Sequence, residues 1–347
     1  MLKTAPLSSN PTTQRLAISV VIPAKDEAES LPELCEWITR VMRENGWRDL
    51  PATYEIIIVD DGSHDNSWEV IQQLSYADAR IKGILFNRNY GKSAALHTGF
   101  RAALGEVVIT MDADLQDSPD EIPELYRMIK EDKYDLVSGW KRKRYDPLTK
   151  TLPTKLFNAV ARGISGLTLH DFNCGLKAYH YRVIKSIDVY GELHRNIPMI
   201  AKWNGFERIG EKEVQHRPRK YGVTKFGIER FLFGFLDMVT ITFVSKFSKR
   251  PMHFFGSLGV LSFLLGTAFA IGILVRKIYE LSHGLRARNA TDQPLFFLAL
   301  VAIIVGVQLF TAGFIGEMMT THSRKTHEYL VLDTIGIPEE NLLTKTS

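Results

Sequence analysis

Glu106–Gln116 reads EVVITMDADLQ, an apolar run that ends in two carboxylates and an amide. Short apolar runs bounded by turn residues are the mark of buried strands, and this one has helical neighbours on both sides. Upstream, the helical stretch Gly91–Leu104 follows the run Ile81–Phe86. Before that, YEIIIVD (Tyr54–Asp60) leads to a helix opening near Asp65, and ISVVIP (Ile18–Pro23) leads to a helical stretch from Ala28 to about Asn45. Downstream, Pro119 opens another helix and Asp135–Gly139 makes a fifth strand. Strand and helix in alternation predict an α/β domain, a mostly parallel sheet covered on both faces. Ligands of such sheets sit outside the carboxyl ends of the strands.

Those ends are polar, and three of them carry acids. The first strand is followed by Asp26-Glu27, the second by Asp60-Asp61-Gly62-Ser63, the third by Asn87-Arg88-Asn89-Tyr90-Gly91-Lys92, the fourth by Asp112-Ala113-Asp114-Leu115-Gln116. Turn and cap chemistry explains any one of them; four at one edge point to a bound ligand. In extended chain Asp112 and Asp114 face the same side. With the Gln116 amide they suit a hard divalent cation, which stabilises a departing diphosphate. No G-x-G-x-x-G follows the first strand, which argues against a dinucleotide-binding dehydrogenase.

The last hundred residues differ in kind. Phe254–Val275 and Leu295–Gly316 are each 22 residues without a charge. Each spans a hydrocarbon core about 30 Å thick, at about 1.5 Å per residue. Gly259, Gly266, Gly306 and Gly313 offer room for close helix approach. Two spans put both flanks on one side of the membrane. Lys246, Lys249, Arg250, Arg324 and Lys325 flank the pair, but Arg276, Lys277, Arg286 and Arg288 lie between, so charge does not set the orientation. Phe226–Phe247, apolar with interspersed Lys and Arg, reads as interfacial helix or as amphipathic helix packed on the domain. Only Cys35 and Cys174 occur, so no disulfide framework is expected and a reducing compartment fits. The net charge of +4 is too mild to argue for nucleic acid, and the first fifteen residues lack the apolar core of a secretory signal.

Taken together, V-V-I-P-A-K-D-E (Val20–Glu27), I-V-D-D-G-S (Ile58–Ser63), R-N-x-G-K (Arg88–Lys92) and M-D-A-D-L-Q (Met111–Gln116) resemble the family 2 glycosyltransferases of GT-A fold. Among them the chain is similar to polyprenyl-phosphate hexosyltransferases, relatives of dolichyl-phosphate mannose synthase. It departs from them at Asp26, where Asn is usual. The resemblance implies that Pro23, Ala24, Glu27, Asp60, Ser63, Lys92, Asp112 and Ala113 bind the sugar nucleotide. It implies that Asp112, Asp114 and Gln116 hold Mg²⁺ or Mn²⁺. D-F-N-C-G-L-K (Asp171–Lys177) matches a segment that places Asp171 near the acceptor. Arg219 and Lys225 match a pair closing over the phosphates, and His194–Pro198 resembles a nearby loop.

Lys141 and Arg142, with Lys150 and Lys155 beyond them, read as a solvated charge run or as cations for an acceptor phosphate. The expected organisation is a lead-in at 1–16, a GT-A domain at 17–225, juxtamembrane helices at 226–252, spans at 253–276 and 294–317 joined by a loop at 277–293, and a tail at 318–347. The expected activity is inverting, metal-dependent transfer of a hexose from a UDP-glucose- or GDP-mannose-type donor to a polyprenyl phosphate. The catalytic domain is expected to be cytoplasmic and without a nucleic-acid partner; homo-oligomerisation is left open. A glycerolipid or polysaccharide acceptor is the competing enzymatic reading, although no Q-x-x-R-W motif is present. A non-catalytic membrane scaffold is the other.

Overall fold

Strands that are apolar at every position need cover on both faces. The computed structural model of the chain shows how they receive it; it describes residues 16–44, 53–142, 158, 161–163, 165–191, 193–218, 220, 251–285, 289–322, 329 and 331–337. The chain divides into two compact units.

Among the described residues the first unit is built on eight strands: β1 (Ile18–Ala24), β2 (Tyr54–Asp60), β3 (Ile81–Phe86), β4 (Val107–Thr110), β5 (Leu136–Trp140), β6 (Lys177–His180), β7 (Ile209–Glu213) and β8 (Val331–Ile335). Alternate residues of one strand serve opposite faces. Val20, Ile22, Ile56, Ile58 and Ile109 pack with α1 (Leu31–Glu44), α2 (Ser67–Ala77) and α4 (Ile122–Lys130). Val21, Ile57, Val59 and Val108 pack with α3 (Lys92–Ala102), α5 (Tyr181–Ser186) and α6 (Ile197–Trp203).

The strand order is β7-β5-β6-β4-β1-β2-β3-β8. β1 pairs in parallel with β2 and β4, and β2 with β3, as the alternating pattern requires. Three strands were not legible. β7 lies at one edge of the sheet, parallel to β5. β6, four residues long, inserts antiparallel between β4 and β5. β8 comes from the stretch read as a tail and pairs antiparallel outside β3. The sheet is therefore completed by residues that follow both apolar helices.

The second unit is a helical hairpin, α7 (Pro251–Ser282) and α8 (Pro294–His322). Both helices are long and apolar enough to cross a membrane, with mean hydropathies of 2.4 and 2.6. α7 continues past the apolar run, so Arg276 and Lys277 lie in its last turns rather than in the loop. A Cβ on Gly306 would lie 2.7 Å from the Phe263 amide nitrogen and 2.8 Å from the Gly259 carbonyl oxygen. The helices thus meet backbone to backbone, as small residues allow. Ser262 adds a hydrogen bond to the Ala302 carbonyl at 2.8 Å.

Candidate active site

The carboxyl ends of β1 to β4 converge on one edge, where a mesh of loop hydrogen bonds aims the side chains. Asp61 is its hinge. Its amide donates to the Ala24 carbonyl at 2.9 Å, and its two carboxylate oxygens accept the amides of Tyr90 (2.7 Å) and Gly91 (2.9 Å). Gly62 has φ 66°, and a Cβ there would lie 2.5 Å from the Arg88 carbonyl carbon, so only glycine lets the second loop touch the third.

Asp26 also has a left-handed φ, 55°. Its amide donates to Ser63 Oγ at 2.9 Å, and its Oδ1 accepts the His64 amide at 2.8 Å. Asn and Asp both tolerate this conformation and both supply that oxygen. The departure from Asn is thus a substitution within a loop brace.

The nucleotide-side candidates occupy this mesh. The Glu27 carboxylate accepts Ser30 Oγ at 2.9 Å, and its amide donates to Ser67 Oγ at 3.0 Å. Asp60 is fully buried, with Oδ1 accepting the Ser63 amide at 2.8 Å, and Oδ2 is buried without a hydrogen-bond partner among the described residues. Burial pushes its carboxyl above the usual value, against the Ser63 hydrogen bonds. An unsatisfied buried acceptor calls for a donor such as a nucleoside supplies. Pro23 is half-buried. Ala113 turns its methyl into the core, leaving only its backbone for a ligand.

Asp112 carries the charge of the site. Its carboxylate pairs with Lys92 Nζ, and a Cβ on Gly175 would lie 2.5 Å from its Oδ2, so glycine makes room for it. Burial acts to raise its pKa, but Lys92, then Lys141 and Lys177, outweigh it and hold the carboxyl well below the usual range. The Asp112 and Lys92 side chains are 31% and 33% exposed, so a ligand can reach them. Asp114 is buried; its Oδ1 accepts the Gln116 amide at 3.2 Å across Leu115, whose φ is 58°.

These donors fit a hard cation that completes its shell with substrate phosphates, as Mg²⁺ sites commonly do. Among the described residues no group of three His, Cys, Asp or Glu side chains is placed to hold a metal alone.

The acceptor-side candidates are redistributed. Lys141 is not a solvated cation: its side chain is 12% exposed and pairs with the buried Asp117 at 2.6 Å. Arg142 is exposed at the rim, 3.4 Å from Glu213. Lys150, Lys155, Arg219 and Lys225 lie outside the described residues, as do the expected helices of Phe226–Phe247. The preceding segment runs along the Asp112–Gln116 loop: the Arg217 amide donates to the Gln116 carbonyl at 2.9 Å, and the guanidinium lies over the Trp37 ring at 4.4 Å. Asp171 is buried at 1% exposure; its Oδ1 accepts the Asn173 amide at 3.0 Å, and its own amide donates to Glu211 at 3.0 Å.

β6 explains why this segment belongs here. Thr110 pairs with Lys177, and Thr110 Oγ1 donates to the Gly175 carbonyl at 2.8 Å, bringing Asp171–Lys177 against Asp112. Lys177 is buried and donates to the Cys174 carbonyl. Burial, then Lys92, lowers its pKa, opposed chiefly by Cys174. His194 bonds Ser93 Oγ through Nδ1 at 3.0 Å; burial, then Lys92, Arg195 and Lys177, keep it neutral at pH 7.

Residues 19–188 match the profile of glycosyl transferase family 2. The chain is 32% identical over 316 residues to a dodecaprenyl-phosphate galacturonate synthase of Rhizobium johnstonii, covering 90% of each protein. The chain belongs to glycosyl transferase family 2. A second relative of this glycosyltransferase is the undecaprenyl-phosphate 4-deoxy-4-formamido-L-arabinose transferase of Aeromonas hydrophila. The two are 33% identical, with 90% of this chain and 92% of that one covered. The fold is also that of glucosyl-3-phosphoglycerate synthase from Mycobacterium tuberculosis, solved with UDP. That likeness has a TM-score of 0.50 at 20% identity, over 66% of this glycosyltransferase and 79% of that chain. A catalytic GT-A sheet followed by two apolar helices is therefore the architecture of a sugar-transferring enzyme.

Asp61, Gly175, Lys177 and Glu211 were not named from sequence as site residues. The D-D-G-S and D-F-N-C-G-L-K motifs contained the first three. Glu211 carried no signal, because its place depends on β7 lying beside β5.

Proposed function

We propose that the enzyme transfers a sugar from a nucleoside-diphosphate sugar to a polyprenyl phosphate at the bilayer surface, with inversion. The observation that carries the reading is length-wide similarity to two polyprenyl-phosphate sugar transferases, over a span that includes both apolar helices. Their names widen the donor from the UDP-glucose and GDP-mannose types to a uronate and a modified pentose.

In the reaction, an oxygen of the acceptor phosphate bonds to the anomeric carbon as the bond from that carbon to the diphosphate breaks. A phosphate monoester is largely dianionic at pH 7, with a second pKa of about 6, so it attacks without a strong base. Asp171, whose Oδ1 is committed to its own turn, is read as an orienting group. Asp60 and Glu27 hold the nucleoside, and Lys92, placed beside Asp112, faces the diphosphate. Asp112, Asp114 and Gln116 would hold Mg²⁺ or Mn²⁺, which supplies positive charge to the leaving diphosphate. The acceptor phosphate falls to Arg142, Lys150 and Lys155, with Arg219 and Lys225 closing over the phosphates; Lys141 acts through Asp117 and Asp112. The nucleotide chemistry favours a cytoplasmic catalytic unit, with the hairpin as anchor and basic juxtamembrane residues at the lipid headgroups.

The test incubates membranes containing the protein with undecaprenyl phosphate and labelled sugar nucleotides. The panel includes UDP-glucose, GDP-mannose and the nucleotide derivatives of galacturonate and 4-deoxy-4-formamido-L-arabinose. Label in the lipid-phosphate fraction supports the reading and names the donor. Label in polymer or glycerolipid moves the enzyme to another acceptor class.

A further inference from the structure

The turn that bears Lys92 is held from two sides. On one side Asp61 accepts the Tyr90 and Gly91 amides at 2.7 and 2.9 Å. The other side is aromatic, and its outer member comes from the far end of the chain. The Tyr329 ring lies 5.5 Å from that of Tyr90, edge to face, and 5.9 Å from Phe86. It is also 6.1 Å from the ring of His97 on α3, the helix that Lys92 opens. Tyr90 meets Phe86 edge-on at 5.5 Å and carries the Arg88 guanidinium 4.8 Å from its centroid.

β8 fixes where Tyr329 stands. Its pairing with β3 runs from Gly83–Ile335 to Leu85–Asp333, then shifts register so that Phe86 opposes Val331. Such a bulge bends a strand and redirects what precedes it. Beyond the other end of β8, Ile337 is buried in the same core cluster as Phe86.

We propose that Tyr329 is a positioning residue of the active site. Through Tyr90 and Phe86 it holds the turn at Asn87–Lys92 against Asp61, and so sets Lys92 beside Asp112. Because Tyr329 and β8 follow α8, the donor edge is complete only when the chain has passed through the apolar hairpin and returned to the sheet. A nascent catalytic domain whose hairpin is not yet made would lack this brace. That the turn serves the donor rests on the function proposed above; the placement of the turn does not.

The test is hydrogen exchange on the detergent-purified full chain without substrate, comparing wild type with Tyr329→Ala and Tyr329→Phe. Tyr329→Ala is expected to raise exchange at the Tyr90 and Gly91 amides while β1 and β2 keep their protection; Tyr329→Phe keeps both. Transfer to undecaprenyl phosphate should fall about two- to tenfold in Tyr329→Ala, the range expected of one aromatic pair. Unchanged protection of the turn in Tyr329→Ala overturns the proposal. So does a loss spread equally over the central strands, or a loosened turn with undiminished transfer. A protein that proves to use another acceptor would still show the exchange pattern, which separates the two failures.

Discussion

The hairpin and the strand-end edge use glycine for the same purpose and to opposite ends. In the hairpin, Gly259 and Gly306 remove side chains so that two helical backbones touch. The side chains around that contact, Val260, Phe263, Leu264, Val307 and Phe310, are apolar, and the fit is one of volume. At the sheet edge, Gly62 and Gly175 remove side chains so that one loop meets another and a carboxylate meets backbone. The result is a concentration of charge, with Asp112 answered by Lys92, Lys141 and Lys177. The contrast predicts that the edge fails when charge is lost and the hairpin fails when volume is added.

The sharpest separation comes from Asp114→Ala, which should lower transfer in purified protein by roughly 10²–10³-fold, the scale of losing a charge-stabilising group. Detergent-solubilised stability should barely change; wild-type activity in this variant would remove Asp114 from the chemistry. Gly306→Leu should do the reverse. It forces a side chain into the Phe263 and Gly259 backbone and should cost about 1–3 kcal/mol of hairpin stability, visible as a lower thermal midpoint in detergent. Donor binding to the sheet should survive.

Gly62→Ala tests whether the edge also depends on space. Its left-handed φ and the 2.5 Å approach to Arg88 should cost about 1–2 kcal/mol. An increase in donor KM larger than the drop in kcat would place the damage in the nucleotide loops.

The smallest effect is one of pH. Burial lowers the folded pKa of His194 well below 6.5, so below that pH the unfolded chain binds the extra proton first. Stability should therefore be full above about pH 6.5 and decline as pH falls beneath it. His194→Gln should flatten that decline in thermal melts between pH 7 and 5, and an unchanged slope would assign the loss to other groups.

Much of the edge was legible because its motifs are local. Asp26, Asp60, Asp112 and Asp114 each end a strand whose apolar run can be read alone. Lys141 was read as a solvated cation or as a contact for the acceptor phosphate, because nothing near it in sequence announces Asp117 as a buried partner. The Asp171–Lys177 segment was placed on the acceptor side without its strand, since four residues leave too short a pattern to count.

The sequence by itself determined the parallel heart of the sheet, the acid-bearing strand ends and two helices long enough for a bilayer, since each rests on periodicity or composition within one segment. Only the tertiary structure decided that β6 separates β4 from β5, that Lys141 faces inward, and that residues 331–335 close the sheet beside β3. Those facts are pairings between segments far apart in the chain. They are fixed by which edge is left open and which charge is left buried, conditions that exist only once the sheet has formed.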